Sequence, residues 1–268
     1  MPKKKIVFDP HLVNKANLYD IVPILAARHP RLSAKQHEKR IATAVHEAAH
    51  LIAALYVKDG YTGPYAYIKI PGRRTKNPMG SGGIDGVVAC GAHSSYAEAY
   101  ICGASLFAEL VMQSPDSETA IQQDSTSFDY YLNRHIANYC PDADPGETAF
   151  GIIDDCLSLF GKQWDLVEKT AFAMLLYADS SGDLTGEAWA KLRVYIKSVL
   201  SKPERGVGHT HYTMPRGVSR RLHELNNIHL GEIPGGLANF AFGDGVAKSA
   251  GTSTSQVELD AVVERVTP

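Results

Sequence analysis

The 268-residue chain is long enough for one large domain or two small ones, and its 44% hydrophobic and 21% charged residues are ordinary for a globular protein. Its net charge of -2 provides no basic surplus, so the composition favours neither a nucleic acid nor an anionic membrane as a partner. The four cysteines form no CxxC pair and indicate reduced thiols rather than a disulfide framework. No apolar stretch is long enough for a signal peptide or a membrane span, and we expect a cytoplasmic protein.

The first half of the chain begins with a proline-punctuated stretch, and we predict an irregular N-terminal segment over residues 1–32. A long helix is predicted next, because Ser33 and Gln36 fit a capping box and apolar residues then recur at helical spacing until Gly60. Alternating residues predict a strand over 65–70. The glycine- and proline-rich residues 71–83 indicate an exposed loop, and residues 84–90 a second strand.

The second half of the chain is mainly helical in its pattern. Ser95 and Glu98 fit another capping box, which opens a helix to about Met112. Further helices are predicted over 125–139, from near Pro145, over 164–178 and over 186–200. Glycine, serine and threonine accumulate in residues 201–268, which predicts a partly disordered tail. We therefore expect a mainly α (α+β) domain over 33–200, with a small sheet beside the first long helix.

The sequence His46-Glu47-Ala48-Ala49-His50 is an HExxH motif inside that helix. Residues four apart lie one turn apart on the same helical face, so both imidazoles can reach one cation. Glu47 lies about 100° around the helix, where its carboxylate can take a proton from water beside the metal. Two histidines, one carboxylate and an open position suit catalytic zinc. A structural histidine pair is the alternative, but unpaired buried polar groups are costly, and we favour the metal site.

The motif and the segments after it resemble one protease family. Residues 43–50, TAVHEAAH, are similar to the active-site helix of the FtsH-type ATP-dependent zinc metalloproteases, in which HEAGH is usual. Residues 68–73, IKIPGR, resemble the family's IPRG segment, and residues 103–111, GASLFAELV, resemble its GGRAAEELV helix. The resemblance covers roughly residues 33–195. It implies a helical zincin-like protease domain that binds one zinc ion and cleaves peptides or unfolded protein segments.

The resemblance also implies that the third zinc ligand is an aspartate near the start of the helix after residues 103–111. We favour Asp124, which is in helical phase with the apolar Phe128, over Asp129 in the same helix. Asp124 could instead cap the N-terminus of that helix, a position that aspartate favours. Glu109 is a third candidate, although we expect it to support a ligand rather than to be one.

The chain also departs from the family. FtsH-type proteases carry a membrane anchor and an AAA ATPase module before the protease domain, whereas only 45 residues precede His46 here. The phosphate-binding pattern GxxxxGKS or GxxxxGKT is not present in the sequence. We therefore expect a protease domain without its own motor, which acts on peptides or unfolded segments independently of ATP. A homo-oligomer and a separate ATPase partner are both open alternatives.

The predicted reaction is hydrolysis of peptide bonds by a metal-activated water, with Glu47 as base and then as proton donor to the leaving amine. By the resemblance and by its apolar character, the predicted strand 84–90 is the candidate edge that binds extended substrate. Two alternatives stay open. One is a zinc hydrolase that acts on a non-peptide amide, and the other is a catalytically weak metal-binding or regulatory protein. The intact Glu47 argues against the second.

Overall fold

The computed structural model describes residues 7–73, 85–112 and 118–200, in which helices pack against a small antiparallel sheet. The predicted mainly α (α+β) class is confirmed. No helix in these ranges is both long and apolar enough to cross a bilayer. The elements in chain order are α1 Pro10–Lys15, a short 3-10 turn Leu18–Asp20, α2 Ile21–Arg28, α3 Ala34–Tyr56, β1 Gly60–Ile68, β2 Gly86–Ala92, α4 Ser95–Met112, α5 Glu118–Tyr139, α6 Pro145–Tyr177, β3 Asp183–Thr185 and α7 Gly186–Val199.

The N-terminal segment is helical, so the predicted irregular segment over residues 1–32 is wrong for its described part. Pro10 and Pro23 lie in the first turns of α1 and α2, where a helix tolerates proline because no intrahelical N–H is needed there. The side chain of Asp9 caps α1 by accepting a hydrogen bond from the backbone N–H of His11 at 2.9 Å. Ile21 and Leu25 are fully buried. This segment therefore belongs to the same hydrophobic core as the rest of the described chain.

Helix α3 is the centre of the fold and begins where the capping box predicts. Ser33 N–H donates to Gln36 Oε1 at 2.8 Å, and Gln36 N–H donates to Ser33 Oγ at 3.3 Å. The helix packs against β1 and β2 on one side and against α4 and α6 on the other. It ends at Tyr56, and Gly60 follows as the first residue of β1. A side chain at Gly60 would clash with the carbonyl oxygen of Ala54, so the tight exit from α3 requires glycine there.

The sheet has the strand order β2-β1-β3, with both pairings antiparallel. β1 begins five residues before the predicted start at Tyr65, and β2 lies two residues later than the predicted strand 84–90. Residue 84 itself lies outside the described residues. Within the described chain β2 is an edge strand, as expected for the candidate substrate strand. Ile68 pairs with Gly86 in the register that brings β2 against α3.

The later helices differ from the prediction at their ends. Ser94, rather than Ser95, caps α4 by accepting a hydrogen bond from the N–H of Ala97 at 3.3 Å. α5 begins at Glu118 and not near residue 125, so the alternative in which Asp124 caps this helix is wrong. α6 is interrupted at Gln163, whose φ of -131° and ψ of 20° are not helical, and this break separates the two helices that the sequence predicts. The predicted tail over 201–268 lies outside the described residues.

Candidate metal centre

His46 and His50 project from the same face of α3, as their spacing predicts. Their ring centroids are 4.9 Å apart, and both Nε2 atoms face the same carboxylate oxygen, Oδ2 of Asp124. The two distances to this oxygen are 3.0 Å from His46 and 3.1 Å from His50. Two imidazole Nε2 atoms, which commonly bind metals, therefore lie next to one carboxylate oxygen from another helix.

The third group comes from α5. His46, His50 and Asp124 each offer one ligand atom, and the three atoms lie within 4.8 Å of one another. Bond lengths of 2.0–2.2 Å to a tetrahedral zinc place neighbouring ligand atoms about 3.3 Å apart, close to the distances to Asp124 Oδ2 seen here. The side chains are 8%, 13% and 15% exposed, so the group is largely shielded from bulk water. These three residues could hold a metal ion.

The two other candidate ligands are placed differently. Asp129 is exposed on α5, and five residues further along a helix it lies about 140° around the axis from Asp124. Glu109 is buried, but its Oε1 lies 2.8 Å from Nδ1 of His46, on the side of the ring opposite the candidate ligand atom. The favoured position of Asp124 and the supporting position of Glu109 both agree with this geometry.

Helix α4 holds the ligand set in place through three residues spaced four apart. Glu109 contacts Nδ1 of His46, the carbonyl oxygen of Ile101 lies 3.1 Å from Nδ1 of His50, and Ser105 Oγ donates to Oδ2 of Asp124 at 2.5 Å. Residues at i, i+4 and i+8 share one helical face. When each Nδ1–H donates to its oxygen, the neutral ring presents the Nε2 lone pair to a metal.

Sequence reasoning missed Ile101 and Ser105. The acceptor at Ile101 is a backbone carbonyl oxygen, which every residue type has, so the sequence gives no signal for it. Ser105 does provide a signal, because Ser105 and Glu109 are polar and one turn apart in the mainly apolar part of α4 after Glu98, and both are buried. Buried polar groups need partners, so this pair signals a polar site facing α4.

Glu47 lies on the other side of the candidate metal ligands, against the edge strand β2. It is 5% exposed and accepts a hydrogen bond from the backbone of Val88. A side chain at Gly86 would come within 2.9 Å of Glu47 Oε1, so glycine allows the strand to approach this carboxylate. Burial raises the pKa of Glu47 above its usual range. The carboxylate therefore lies between the ligand cluster and the candidate substrate strand, in a poorly solvated position.

The charges at the site favour a cation. Burial disfavours a charged His46, yet hydrogen bonds to Asp124 and Glu109 outweigh burial and raise its pKa to about 10. Burial likewise opposes ionisation of Asp124, but the two imidazoles hold its pKa well below the usual range. Three carboxylates, from Glu47, Glu109 and Asp124, surround two histidines. A divalent cation would compensate this excess of negative charge.

The comparisons with known proteins found no match for this chain. The chain matches no protein-family model, no curated protein and no solved structure. The relation to the FtsH-type proteases therefore stays a prediction, carried by the motif segments and not by a family match.

Proposed function

We propose that this protein is a zinc-dependent endopeptidase of the FtsH type, which hydrolyses peptide bonds in peptides or unfolded protein segments. The observation that carries the proposal is the convergence of His46 Nε2, His50 Nε2 and Asp124 Oδ2, with the buried Glu47 next to them. The ligand types match the two-histidine, one-carboxylate set of catalytic zinc sites. The motif segments of residues 43–50, 68–73 and 103–111 supply the likeness to the protease family.

Zinc suits this ligand set and the HExxH motif, whereas imidazole nitrogens are too soft for a magnesium or calcium site. When bound, zinc would lower the pKa of a coordinated water towards about 7 and polarise the carbonyl of the substrate. The oxygens of Glu109 and Ile101 hold the two imidazoles in one orientation, and Ser105 holds Asp124. These contacts preserve the ligand geometry through a reaction cycle.

Glu47 would serve as the general base and then as the general acid. Its carboxylate takes a proton from water during attack and donates it to the leaving amine. Because burial raises the pKa of Glu47, its carboxyl group is suited to hold this proton between the two steps. Its place between the histidines and β2 lets one carboxylate reach both the water and the substrate.

The substrate would bind as an extended strand along β2. This strand is an edge of the sheet within the described chain and passes Glu47 at Gly86 and Val88. An edge strand offers unpaired backbone groups to an extended peptide whatever its side chains are. Such binding suits unfolded segments better than folded domains or small amides.

The test is proteolysis by the zinc-loaded chain. We expect cleavage of unfolded casein by the native sequence, no cleavage by Glu47→Gln, and unchanged zinc content in that variant, because Glu47 is not a ligand. Glu38→Gln is the matched control, since Glu38 is exposed on the same helix. Equal inactivity of the native chain and Glu47→Gln on casein and on a panel of unfolded proteins, with zinc bound in both, would favour a metal-binding protein without turnover.

A further inference from the structure

A second polar cluster lies at the start of α3, two turns before the candidate metal ligands. His37 and Arg40 are three residues apart, which places them side by side on the helix surface. Both side chains are buried, with 5% and 4% of their surface exposed. Arg40 lies about 9 Å along the helix axis from His46, so this cluster is separate from the metal centre. Arg28 and His29, at the end of α2, adjoin it.

Three buried nitrogens of this cluster are unpaired within the part of the chain that the structure describes. Nε and Nη1 of Arg40 and Nδ1 of His37 have no hydrogen-bond partner among the described residues. Arginine stays charged and carries five N–H donors, and buried charges in proteins are normally paired. A buried charge without a partner is strongly destabilising. Three unpaired buried nitrogens at one place therefore call for an acceptor that binds there.

Among the described residues, the charges that act on the cluster come from basic side chains, apart from Tyr67. Burial and then the charges of Arg40, Arg28, His37 and Arg73 lower the pKa of His29 to about 4. Burial and then Arg28 lower the pKa of Arg40 to about 10, which Tyr67 opposes only in part. No carboxylate of the described chain acts on Arg28, His37 or Arg40. Residues 71–84, which follow β1 in the sequence, contain no aspartate or glutamate either.

We propose that His37 and Arg40, with Arg28 and His29 beside them, form a binding site for an oxyanion, either a phosphate or a carboxylate group. A guanidinium forms short, charge-assisted hydrogen bonds with both groups. Arg28 donates one N–H to the carbonyl oxygen of Leu175 at 3.3 Å, which ties this side of the site to α6. A bound anion would offset the repulsion between the basic residues of α2 and α3. The site does not depend on the proposed peptidase activity.

Inorganic phosphate and acetate are the two probes, each titrated into the full chain at constant ionic strength set with chloride. The protein is treated with EDTA first, so that neither anion can bind through zinc. We expect saturable heat of binding for the preferred probe and, at about ten times its dissociation constant, a rise in Tm of about 3–5 °C. The stronger of the two probes identifies the oxyanion class. No saturable binding of either probe would overturn the proposal.

Arg40→Met should weaken binding of the preferred probe by about tenfold or more, because the charge-assisted hydrogen bonds are lost. Arg31→Met removes the same charge from an exposed position three residues before the start of α3, and we expect it to bind within about twofold of the native chain. Arg40→Lys keeps the charge and should bind with intermediate affinity, which provides a second test if Arg40→Met does not fold. Equal weakening by Arg40→Met and Arg31→Met, with native affinity in Arg40→Lys, would assign the effect to general charge and refute the site.

Discussion

Oδ2 of Asp124 lies 3.1 Å from Nε2 of His50, although 74 positions separate the two residues in the chain. The same oxygen lies 3.0 Å from Nε2 of His46. One carboxylate oxygen thus faces both histidines of the HExxH motif, and the packing of α5 against α4 places it there. The composition of the candidate metal centre depends on this relationship.

Asp124→Ala should abolish tight zinc binding, because it removes one of the three proposed protein ligands. Asp129→Ala is the matched control, since it removes an exposed carboxylate from the same helix. Zinc content measured by atomic absorption after dialysis should be close to one ion per chain for the native protein and Asp129→Ala. Full zinc content in Asp124→Ala, with loss in Asp129→Ala, would contradict the assignment of the third ligand.

Glu109→Gln should weaken zinc binding without abolishing it. The amide cannot polarise the imidazole of His46 as the carboxylate does, and loss of such a partner typically reduces metal affinity by about 10–100-fold. Competition with a chromophoric chelator measures the affinity. Glu38→Gln on the exposed face of α3 should leave the affinity unchanged. If Glu109→Gln removes zinc as completely as Asp124→Ala does, Glu109 is itself a ligand.

Gly86→Ala should reduce peptidase activity while zinc stays bound. The added methyl carbon would lie 2.5 Å from Cγ2 of Thr43 and 2.9 Å from Oε1 of Glu47, so the strand or the carboxylate must move. We expect a loss of about tenfold to a hundredfold, a part of the 10²–10⁴-fold that a positioned base contributes. Gly146→Ala, in the exposed first turn of α6, is the control and should keep full activity. Unchanged activity in Gly86→Ala would show that β2 does not position Glu47.

The free energy of unfolding should fall as the pH drops from about 6.5 to 4, in part because of His29. Burial and the neighbouring cations lower its pKa in the folded protein from 6.5 to about 4. The unfolded chain therefore binds the extra proton in this window, which favours unfolding as the pH falls, and the effect is complete below pH 4. Because His29 is partly exposed, we expect a contribution of about 1 kcal/mol rather than the full value of the shift.

Urea unfolding of EDTA-treated protein at several pH values measures this contribution. His29→Asn should flatten the pH dependence between pH 6.5 and 4 by about 1 kcal/mol. His11→Asn removes an exposed histidine from α1 and should leave the slope as it is in the native chain. A steeper pH dependence in His29→Asn than in the native chain would reverse the sign and refute the account.

Local patterns predicted much of the fold because their causes act within one helical turn. The capping box of Ser33 and Gln36 marks the start of α3, and the spacing of His46 and His50 places both imidazoles on one face. The break at Gln163 likewise lies between two helices that the apolar spacing of the sequence predicts separately. The ends of other elements were less predictable. α5 begins at Glu118 although its first turns carry no strong capping or apolar signal, and α1 and α2 are too short to show a clear period.

The helix of the HExxH motif, the two candidate histidine ligands and the place of Glu47 beside them could be predicted from the sequence alone, because they depend on positions within a single helix. The sequence left three candidates for the third ligand. These candidates differ in their tertiary positions: α4 packs against α3 and α5 against α4, so that Asp124, contacted by Ser105, faces the imidazoles and Glu109 lies behind one of them. The same packing leaves Arg40 buried without a carboxylate partner among the described residues. Contacts between elements depend on how whole helical faces pack, which no short stretch of sequence encodes.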